Sequence, residues 1–455
     1  MTERTLVPRT AAIALVVVIL TGLAGAVCSA CSAGSNASAA PSDSPRGQPG
    51  DVRFSQTLLP FSEPGAGGIG YRIDATPSGH AVVACSVRGY HSAATVSLSA
   101  SGIDWQFQRD CSQEDATDLN WSDQALAPDG SAVDVGVRAD HEGPGYSLVV
   151  SRFVDAETRF DTTYQEADQS LRGTAVAVGP DGAIYVVGVR EDTSDIVLIK
   201  YDPTLKAQWV RYFGGPAYEW GRAVTVQGDS VYVAGEGYRR GRSLDLLVMR
   251  FDAQTGRRLW ARYVTTGDRR EQQLDALLAR PTGIYVCGHV VSTEHPTPIA
   301  VLAKVAPSGV QRWVRSSPGV WWADIAAAPD GSLRLTGSAH RRAAGFDMIT
   351  AAFRRDGRRL WLRAYKRSFG TDLDVDASGA TYVGGSTPAA DPATGHDLLV
   401  AAYSASGERL WVTRQPGGNM GNLYYGVMDL DVSDDSVWVT GTSVDHQVLV
   451  LQLQK

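Results

Sequence analysis

The sequence predicts an all-β protein made of repeated four-stranded antiparallel units that close into a ring. Three observations support this class: a string that recurs eight times, a hairpin pattern in the second half of each unit, and an incomplete unit at the end of the chain. Such a sheet has two apolar faces that only neighbouring units can cover, which predicts a β-propeller. No stretch after residue 50 shows a convincing helical period.

The recurring string is a turn followed by a short apolar strand that ends in glycine. It reads DGAIYVVG at 181–188 and DSVWVTG at 435–441, with a degraded first copy, SGHAVVAC, at 78–85. The closing positions are 85, 136, 188, 235, 288, 337, 385 and 441, a period near fifty residues. Eight copies predict eight blades, and seven is the alternative if the degraded copy is not a true blade.

The second half of each unit has the pattern of a β-hairpin. DLLVMRFDAQTGRRLWARY starts at Asp245, and DLLVAAYSASGERLWVTRQ starts at Asp397. Each contains an apolar strand, a turn with glycine and a second strand that opens around a tryptophan. The tryptophan recurs at 105, 209, 260, 313, 361 and 411. We interpret it as a large apolar side chain that packs between blades.

The two ends of the repeat region predict how the ring closes. The last unit stops at QVLVLQLQK, its third strand, and the strand RFSQTLLPF at 53–61 belongs to no unit of its own. We therefore expect the strand near Phe54 to pair with the strand near Leu449 and to complete the last blade, which removes an exposed sheet edge. The propeller would span residues 53–455.

The chain before the propeller is interpreted as a signal peptide, 1–30, and a flexible tether, 31–52. Arg4 and Arg9 precede an apolar run from residue 11 to residue 27, which is typical of a secretory signal. An uncleaved membrane anchor is the alternative. The residues that follow are mostly Ser, Ala, Pro and Gly, a composition typical of linkers.

Small residues followed by cysteine at the end of this signal resemble a bacterial lipoprotein signal. The resemblance implies that Cys31 or Cys28 is lipidated and becomes the new N-terminus. Ordinary cleavage without lipidation is the alternative. The prediction is an exported protein that is either attached to the bacterial cell envelope through a lipid or secreted.

The repeats also resemble two groups of propeller. DAQTGRRLW at 252–260 is similar to the quinoprotein-type repeat, and DGAIYVVG with DIVLIKYDP is similar to the bacterial seven-bladed propeller repeat. The resemblance covers about 53–455 and implies the fold. Quinoprotein dehydrogenases use a redox cofactor, usually beside two adjacent cysteines, whereas Cys85, Cys111 and Cys287 are isolated here. A quinoprotein-like or hydrolytic enzyme with a site at the axial mouth is therefore only the alternative function.

Composition favours binding to partners other than nucleic acid. The formal net charge is −7, and no basic stripe of the kind that binds a phosphate backbone is present. No Gly-x-Ser-x-Gly elbow or metal-ligand spacing of histidines occurs, so no catalytic residue is predicted, and calcium is the one cofactor that the sequence leaves open. An exported chain permits a disulfide, for which Cys85 and Cys111 are the candidate pair.

Loops on one face of the ring are the predicted binding surface. The connections from strand two to three and from strand four to the next blade are long and variable, and they emerge on the same face. Aromatic residues in these connections favour a protein or carbohydrate partner. The alternative is that they seal the blade junctions. The predicted set is Trp121, Tyr218, Trp220, Trp321, Trp322, Tyr424 and Tyr425.

Acidic residues recur at one position of the innermost strands. Alignment of these strands on their turns places Asp123, Asp275, Asp324, Asp372 and Asp429 at equivalent sites, with Arg72 in the first copy. Asp374, Asp376 and Asp431 follow at alternate positions in the last two blades and hence on the same strand face. Crowded carboxylates near the axis predict a calcium site. The alternative is that each aspartate accepts backbone amides at its own strand entry.

Overall fold

Each repeat folds into four antiparallel strands in the computed structural model. The structure describes residues 48–58, 68–76, 78–87, 92–109, 117–140, 145–165, 169–215, 218–239, 244–267, 270–290, 297–341, 345–390, 395–417, 427–443 and 447–455. These residues form 32 strands. Within the described ranges, no helix is long and apolar enough to span a membrane.

The first four blades follow the chain in order. Blade 1 contains β2 (Gly68–Ala75), β3 (Ala81–Val87), β4 (Ser92–Ser99) and β5 (Gly102–Arg109). Blade 2 contains β6 (Thr117–Leu126), β7 (Ala132–Asp140), β8 (Tyr146–Phe153) and β9 (Arg159–Tyr164). Blade 3 contains β10 (Leu171–Val178), β11 (Ile184–Arg190), β12 (Asp195–Tyr201) and β13 (Ala207–Phe213). Blade 4 contains β14 (Glu219–Gln227), β15 (Ser230–Tyr238), β16 (Leu244–Asp252) and β17 (Arg258–Tyr263).

The remaining blades include the one that closes the ring. Blade 5 contains β18 (Gln272–Arg280), β19 (Gly283–Val290), β20 (Ile299–Val305) and β21 (Gln311–Pro318). Blade 6 contains β22 (Val320–Ala327), β23 (Leu333–His340), β24 (Phe346–Phe353) and β25 (Arg359–Tyr365). Blade 7 contains β26 (Phe369–Val375), β27 (Thr381–Pro388), β28 (His396–Tyr403) and β29 (Arg409–Gln415). Blade 8 contains β30 (Val427–Val432), β31 (Ser436–Thr442), β32 (Val448–Gln454) and β1 (Val52–Leu58).

The predicted fold, an all-β propeller closed by an N-terminal strand, is confirmed. Every blade is an antiparallel sheet, and a single parallel pair, Ile299 with Val320, joins blades 5 and 6. The first strand of each blade lies innermost and contacts the first strands of both neighbours, from β2 through β30 and back to β2. β1 pairs with β32 in a register that sets Phe54 opposite Gln452 and Thr57 opposite Leu449.

Hydrophobic side chains fill the interfaces between consecutive blades. Eight clusters occur among the described residues, one at each interface. The cluster between blades 4 and 5, for example, contains Leu246, Trp260, Ile284 and Val301. The ring is therefore held by burial of both faces of every sheet, as the repeat pattern predicts.

The recurring tryptophans pack beneath the turn of the following blade. Trp361 of blade 6 donates its Nε1–H to the carbonyl of Ala405, 3.1 Å away in the turn between β28 and β29. Gly407 of this turn has a positive φ of 81° and rests on the indole ring. Arg363 donates from Nε to the Gly407 carbonyl at 2.6 Å. Trp209 and Trp313 make the same type of contact with the turns of blades 4 and 6.

Blade 8 builds the corresponding turn from two separate segments. Gly50, with φ 89°, rests on Trp411 of blade 7, and its carbonyl accepts a hydrogen bond from Thr413 Oγ1 at 2.5 Å. Gly50 N donates to the Gln454 carbonyl at 2.8 Å, and Gln454 N donates to the Asp51 carbonyl at 2.9 Å. Residues at the end of the predicted tether thus occupy the place of a blade turn.

Candidate binding site on the upper face

The two ends of the blades differ in the connections they carry. Strands one and three of a blade run in the same direction, so the turns that follow them lie at one end, here called the lower face. The connections from strand two to three and from strand four to the next blade lie at the other end, the upper face. The candidate site is built at the upper ends of β14, β15, β18, β19 and β22.

A β-bulge near the upper end of every inner strand shapes this face. The register shifts after Gly70, Trp121, Gly173, Gly221, Leu274, Trp322, Gly370 and Val427. In blades 3 and 7 the bulged residue is Thr174 or Thr371, whose hydroxyl donates to backbone carbonyls of its own and the next blade. In blades 4 and 5 it is a charged residue instead, Arg222 or Asp275.

In blade 4 the bulged residue forms an ion pair. Arg222 Nε donates to both carboxylate oxygens of Glu236, at 2.7 and 2.8 Å. Glu236 is buried and also accepts the backbone N–H of Leu274, in blade 5, at 2.6 Å. Burial raises the pKa of Glu236, and the guanidinium of Arg222 opposes that shift. The Arg222 guanidinium lies 5.5 Å from the Trp220 ring, which is 5.7 Å from the ring of Tyr218.

Blade 5 carries a second pair at the equivalent positions, with the acid on the bulge. Asp275 Oδ2 lies 2.9 Å from His289 Nδ1. Asp275 Oδ1 accepts a hydrogen bond from Trp321 Nε1, in blade 6, at 3.1 Å. Burial raises the pKa of Asp275, whereas its bond to His289 favours the charged form. The rings of His289 and Trp321 are 4.9 Å apart, and Trp321 is 43% exposed.

The two pairs form one group because Glu236 bonds to Leu274, the residue next to Asp275. We call this group the upper-face cluster; it consists of Tyr218, Trp220, Arg222, Glu236, Asp275, His289 and Trp321. Among the described residues, Arg222 bonds only through Nε and His289 only through Nδ1. The cluster thus combines a fixed, half-exposed indole with hydrogen-bonding groups that have spare capacity.

Three of the seven predicted aromatic residues belong to this cluster, and two others are corrected. Trp121, Trp220, Trp321 and Trp322 all lie in strands and not in connections. Trp121 and Trp322 are also buried, 4% and 2% exposed, and pack edge-on against Phe153 and Phe353. Each is the last residue before the bulge of its strand, a position that faces a blade interface. Gly173 holds this position in blade 3 and Leu274 holds it in blade 5. Tyr424 and Tyr425 lie outside the described residues.

The alignment of Asp275 with the axial aspartates is wrong. The residue equivalent to Asp123, the first one paired after the bulge, is Ala276. β18 continues to Arg280, which pairs with Gly283 across a two-residue turn. Blade 4 has the same kind of turn, from Gln227 to Ser230, and its axial residue Ala223 lies four positions before Gln227; the residue four positions before Arg280 is Ala276, and Asp275 occupies the bulge.

The other axial aspartates link consecutive blades. Each aspartate accepts, through one carboxylate oxygen, a hydrogen bond from a backbone N–H of the next blade. The donor is the residue directly after the one that occupies the axial position in that blade. The bonds are Val176 to Asp123 (3.0 Å), Leu373 to Asp324 (3.3 Å), Leu430 to Asp372 (2.8 Å) and Ile73 to Asp429 (2.8 Å). The bonded amides thus belong to the neighbouring strand rather than to the strand entry of the aspartate itself.

Charge in this ring is relieved in two further ways. Arg72 donates from Nε to Asp123 at 2.8 Å and from Nη1 to Asp429 at 3.1 Å. Burial, together with the neighbouring Asp431, raises the pKa of Asp374 to about 8, which favours the protonated, uncharged carboxyl. Asp431 accepts the N–H of Ala75 at 2.7 Å.

The predicted calcium ligands are not assembled into a coordination site. Within the described part of the chain, no three His, Cys, Asp or Glu side chains come together as a possible metal site. The oxygens of the axial aspartates instead accept the bonds from backbone amides and from Arg72. The acidic ring therefore has a structural explanation in the joining of blades.

The cysteine predictions fall largely outside the described residues. Cys28, Cys31 and Cys111 all lie there, so lipidation and the Cys85–Cys111 disulfide stay predictions. Cys85 is buried, with Sγ 3.6 Å from the Ala94 carbonyl. Cys287 is a buried thiol in the interface between blades 5 and 6.

Two cavities open on the opposite, lower face. Their volumes are about 380 and 460 Å³, and they share Val375, Asp376 and Ala377. Arg280 and Tyr285 line the first, and Lys455 lines the second. Of the acidic residues that the sequence places near the axis, Asp376 lines both cavities, and none of the predicted aromatic residues that the structure describes lines either.

Comparison with solved structures shows the fold. No protein-family model matches the chain, and no curated protein matches it. The chain is similar to the Dos1 propeller, at 10% identity and a TM-score of 0.51 over 88% of this chain and 96% of that one. It is also similar to a europium-containing methanol dehydrogenase, at 11% identity and a TM-score of 0.53 over 89% of this chain and 93% of that one. The quinohemoprotein alcohol dehydrogenase from Comamonas testosteroni has the same identity and TM-score, over 89% of this chain and 76% of that one.

Proposed function

We propose that this protein is a non-catalytic binding or scaffolding module of the bacterial cell envelope, and that its upper face binds a protein or glycan partner. The observation that carries the proposal is Trp321, a large aromatic side chain that is 43% exposed yet fixed by Asp275 and His289. Fixed aromatic side chains surrounded by polar groups are typical centres of binding energy, because little conformational entropy is lost when a partner covers them.

The bonding of the two acids in the cluster leaves neither carboxylate open for proton transfer, and their role in the proposal is to orient Arg222 and His289. Both oxygens of Glu236 accept hydrogen bonds, and so do both oxygens of Asp275 when His289 Nδ1 carries its proton. A carboxylate acts as a general base only when one of its oxygens is open to the proton it removes, so neither acid is placed for that role. The likeness to two dehydrogenases is one of fold, and the alternative of a quinoprotein-like or hydrolytic enzyme gains no residue from it.

Export and lipid attachment are part of the same proposal. They rest on Arg4 and Arg9 before the apolar run, and on the cysteines at 28 and 31. In this proposal the membrane is reached only through the lipid, and the partner is found in the envelope.

Capture of a partner tests the proposal. Immobilised protein of residues 48–455 is incubated with envelope extract, beside the variants Trp321→Ala and Leu410→Ala. Leu410 is the matched control because it is 53% exposed at the lower end of β29. We expect the wild type and Leu410→Ala to retain the same protein or polysaccharide and Trp321→Ala to lose it. No retained partner, or equal retention by Trp321→Ala, would overturn the proposal.

A further inference from the structure

We infer that the upper-face cluster recognises carbohydrate, with a pyranose ring stacked on the exposed face of Trp321 and its hydroxyl groups bonded by His289 and Arg222. This inference rests on the proposed binding function and names the class of ligand. It is carried by the orientation of Trp321, by the polar groups beside it, and by the distribution of exposed apolar side chains over the two faces.

The indole of Trp321 presents its ring and not its N–H. Its Nε1–H is bonded to Asp275 Oδ1 at 3.1 Å, and one side of the ring is 4.9 Å from His289. The residue is nevertheless 43% exposed. A ligand therefore meets a fixed π-surface, whose negative face attracts weakly positive hydrogens. One face of a pyranose presents such C–H groups.

Hydrogen-bonding groups lie beside this ring surface, on His289 of blade 5, and on Arg222 of the adjacent blade 4. His289 uses Nδ1 for Asp275, which leaves Nε2 without a partner among the described residues. Arg222 uses Nε for Glu236, which leaves both Nη groups without a hydrogen-bond partner among the described residues. Sugar hydroxyls both donate and accept, so they can satisfy an imidazole and a guanidinium at one site. The carboxylates hold these groups in fixed orientations, which reduces the entropy lost on binding.

Exposed apolar side chains are divided between the two faces. Among the described residues, the most exposed large side chains at the upper ends of strands are all aromatic with a polar atom: Tyr146, Tyr212, Tyr238 and Trp321. Those at the lower ends are all aliphatic: Ile103, Val154, Leu259, Val310, Leu360 and Leu410. A sugar offers C–H faces and hydroxyls but no aliphatic chain to bury, so its chemistry matches the upper set and not the lower one.

The test measures binding of defined oligosaccharides by calorimetry. The probes are cellotetraose, maltotetraose and chitotetraose, with a lysine tetrapeptide as the cationic alternative. We expect at least one tetrasaccharide to bind, and Trp321→Ala to weaken it by about tenfold or more. Trp321→Phe keeps a ring without the N–H and should retain part of the affinity. Leu410→Ala should bind as the wild type does, and melting curves establish that each variant is folded.

The outcomes separate the inference from the proposed function. If no tetrasaccharide binds while an envelope protein is captured in a Trp321-dependent way, the carbohydrate inference is overturned and the binding function stands. If the tetrapeptide binds in place of the sugars, the ring recognises a cation and the inference again fails. Sugar binding that is unchanged in Trp321→Ala would place the sugar elsewhere. Failure of both experiments removes the binding function itself.

Discussion

Replacement of Gly407 by alanine tests whether the contact between a strand-four tryptophan and the next turn stabilises the ring. A Cβ atom at Gly407 would lie 2.5 Å from Cδ2 of Trp361 and 2.9 Å from its Cε2 and Cγ. Carbon atoms do not approach so closely, so the indole or the turn must move. Either movement disturbs the bonds from Trp361 to Ala405 and from Arg363 to Gly407.

Gly130→Ala, in the turn between β6 and β7, is the matched control. Gly130 has φ 82°, close to the 81° of Gly407, but a Cβ there would meet nothing within 4 Å. Both variants bear the cost of a non-glycine residue at positive φ, about 1–2 kcal/mol. Both change the unfolded chain in the same way, so that contribution cancels. Overpacking against Trp361 should then cost Gly407→Ala about 1–3 kcal/mol more than the control.

Urea unfolding followed by far-ultraviolet circular dichroism measures both variants against the wild type. We expect Gly407→Ala to lose clearly more free energy of unfolding than Gly130→Ala, with similar slopes. An equal loss in the two variants would refute the reasoning, because strain at φ would then explain the whole effect. In a Trp361→Leu background, Gly407→Ala should cost about as much free energy of unfolding as Gly130→Ala, since the shorter side chain relieves the overlap.

Four further predictions concern the axis, the closing strand and the anchor. The pKa of Asp374 is about 8 in the folded protein and about 3.9 in the unfolded chain. The folded state therefore binds this proton more tightly, and the free energy of unfolding should fall as the pH rises from about 4 to about 8. Asp374→Asn should flatten that fall in urea midpoints, and an unchanged slope would contradict the assignment. A chain that starts at Gln48 should melt well above one that starts at residue 59, which lacks β1 and bares the edge of β32; equal melting temperatures would disprove the role of β1. Millimolar calcium should leave the melting temperature unchanged. If calcium raises the melting temperature of the wild type but not that of an Asp372→Asn, Asp429→Asn double variant, the axial aspartates do bind calcium. The full chain should partition into the detergent phase, and its Cys28→Ser, Cys31→Ser variant should partition into the aqueous phase. An intact mass of the wild type that shows no lipid would disprove the lipidation prediction.

The repeat pattern predicts the architecture because it reports burial directly. The recurring string and the strand-four tryptophans specify both faces of each sheet, and the stray strand at 53–61 specifies the closing pair with β32. These features are local in sequence or recur at a fixed period. The hydrogen bonds between blades, such as Ile73 to Asp429, are neither. They depend on which residue of an inner strand follows the bulge, and the bulge leaves no mark in composition.

The same bulge explains why the candidate site was only partly predicted. The extra residue at the bulge shifts by one the alternation of buried and exposed side chains relative to the rest of the strand. As a result Trp322 is buried in the core and the adjacent Trp321 is exposed. Arg222, Glu236 and His289 were not predicted as site residues. A signal did exist: Glu236 and His289 each directly follow the recurring glycine, where Val137 and Val189 stand in blades 2 and 3. Their partners could be identified only once Arg222 and Asp275 were known to occupy the bulges.

Because the turn of blade 8 is formed by two separate segments of the chain, the same ring could be built by a chain that begins at another blade. Gly50 and Asp51 are already hydrogen-bonded to Gln454, so a short linker from Lys455 to Gln48 would turn this junction into an ordinary loop. New termini could then be opened at a lower-face turn such as 404–407. Each such circular permutant would keep the same eight interfaces, because every blade meets the next through the same type of contact. The ring requires a complete set of blades in cyclic order, and any of them can come first.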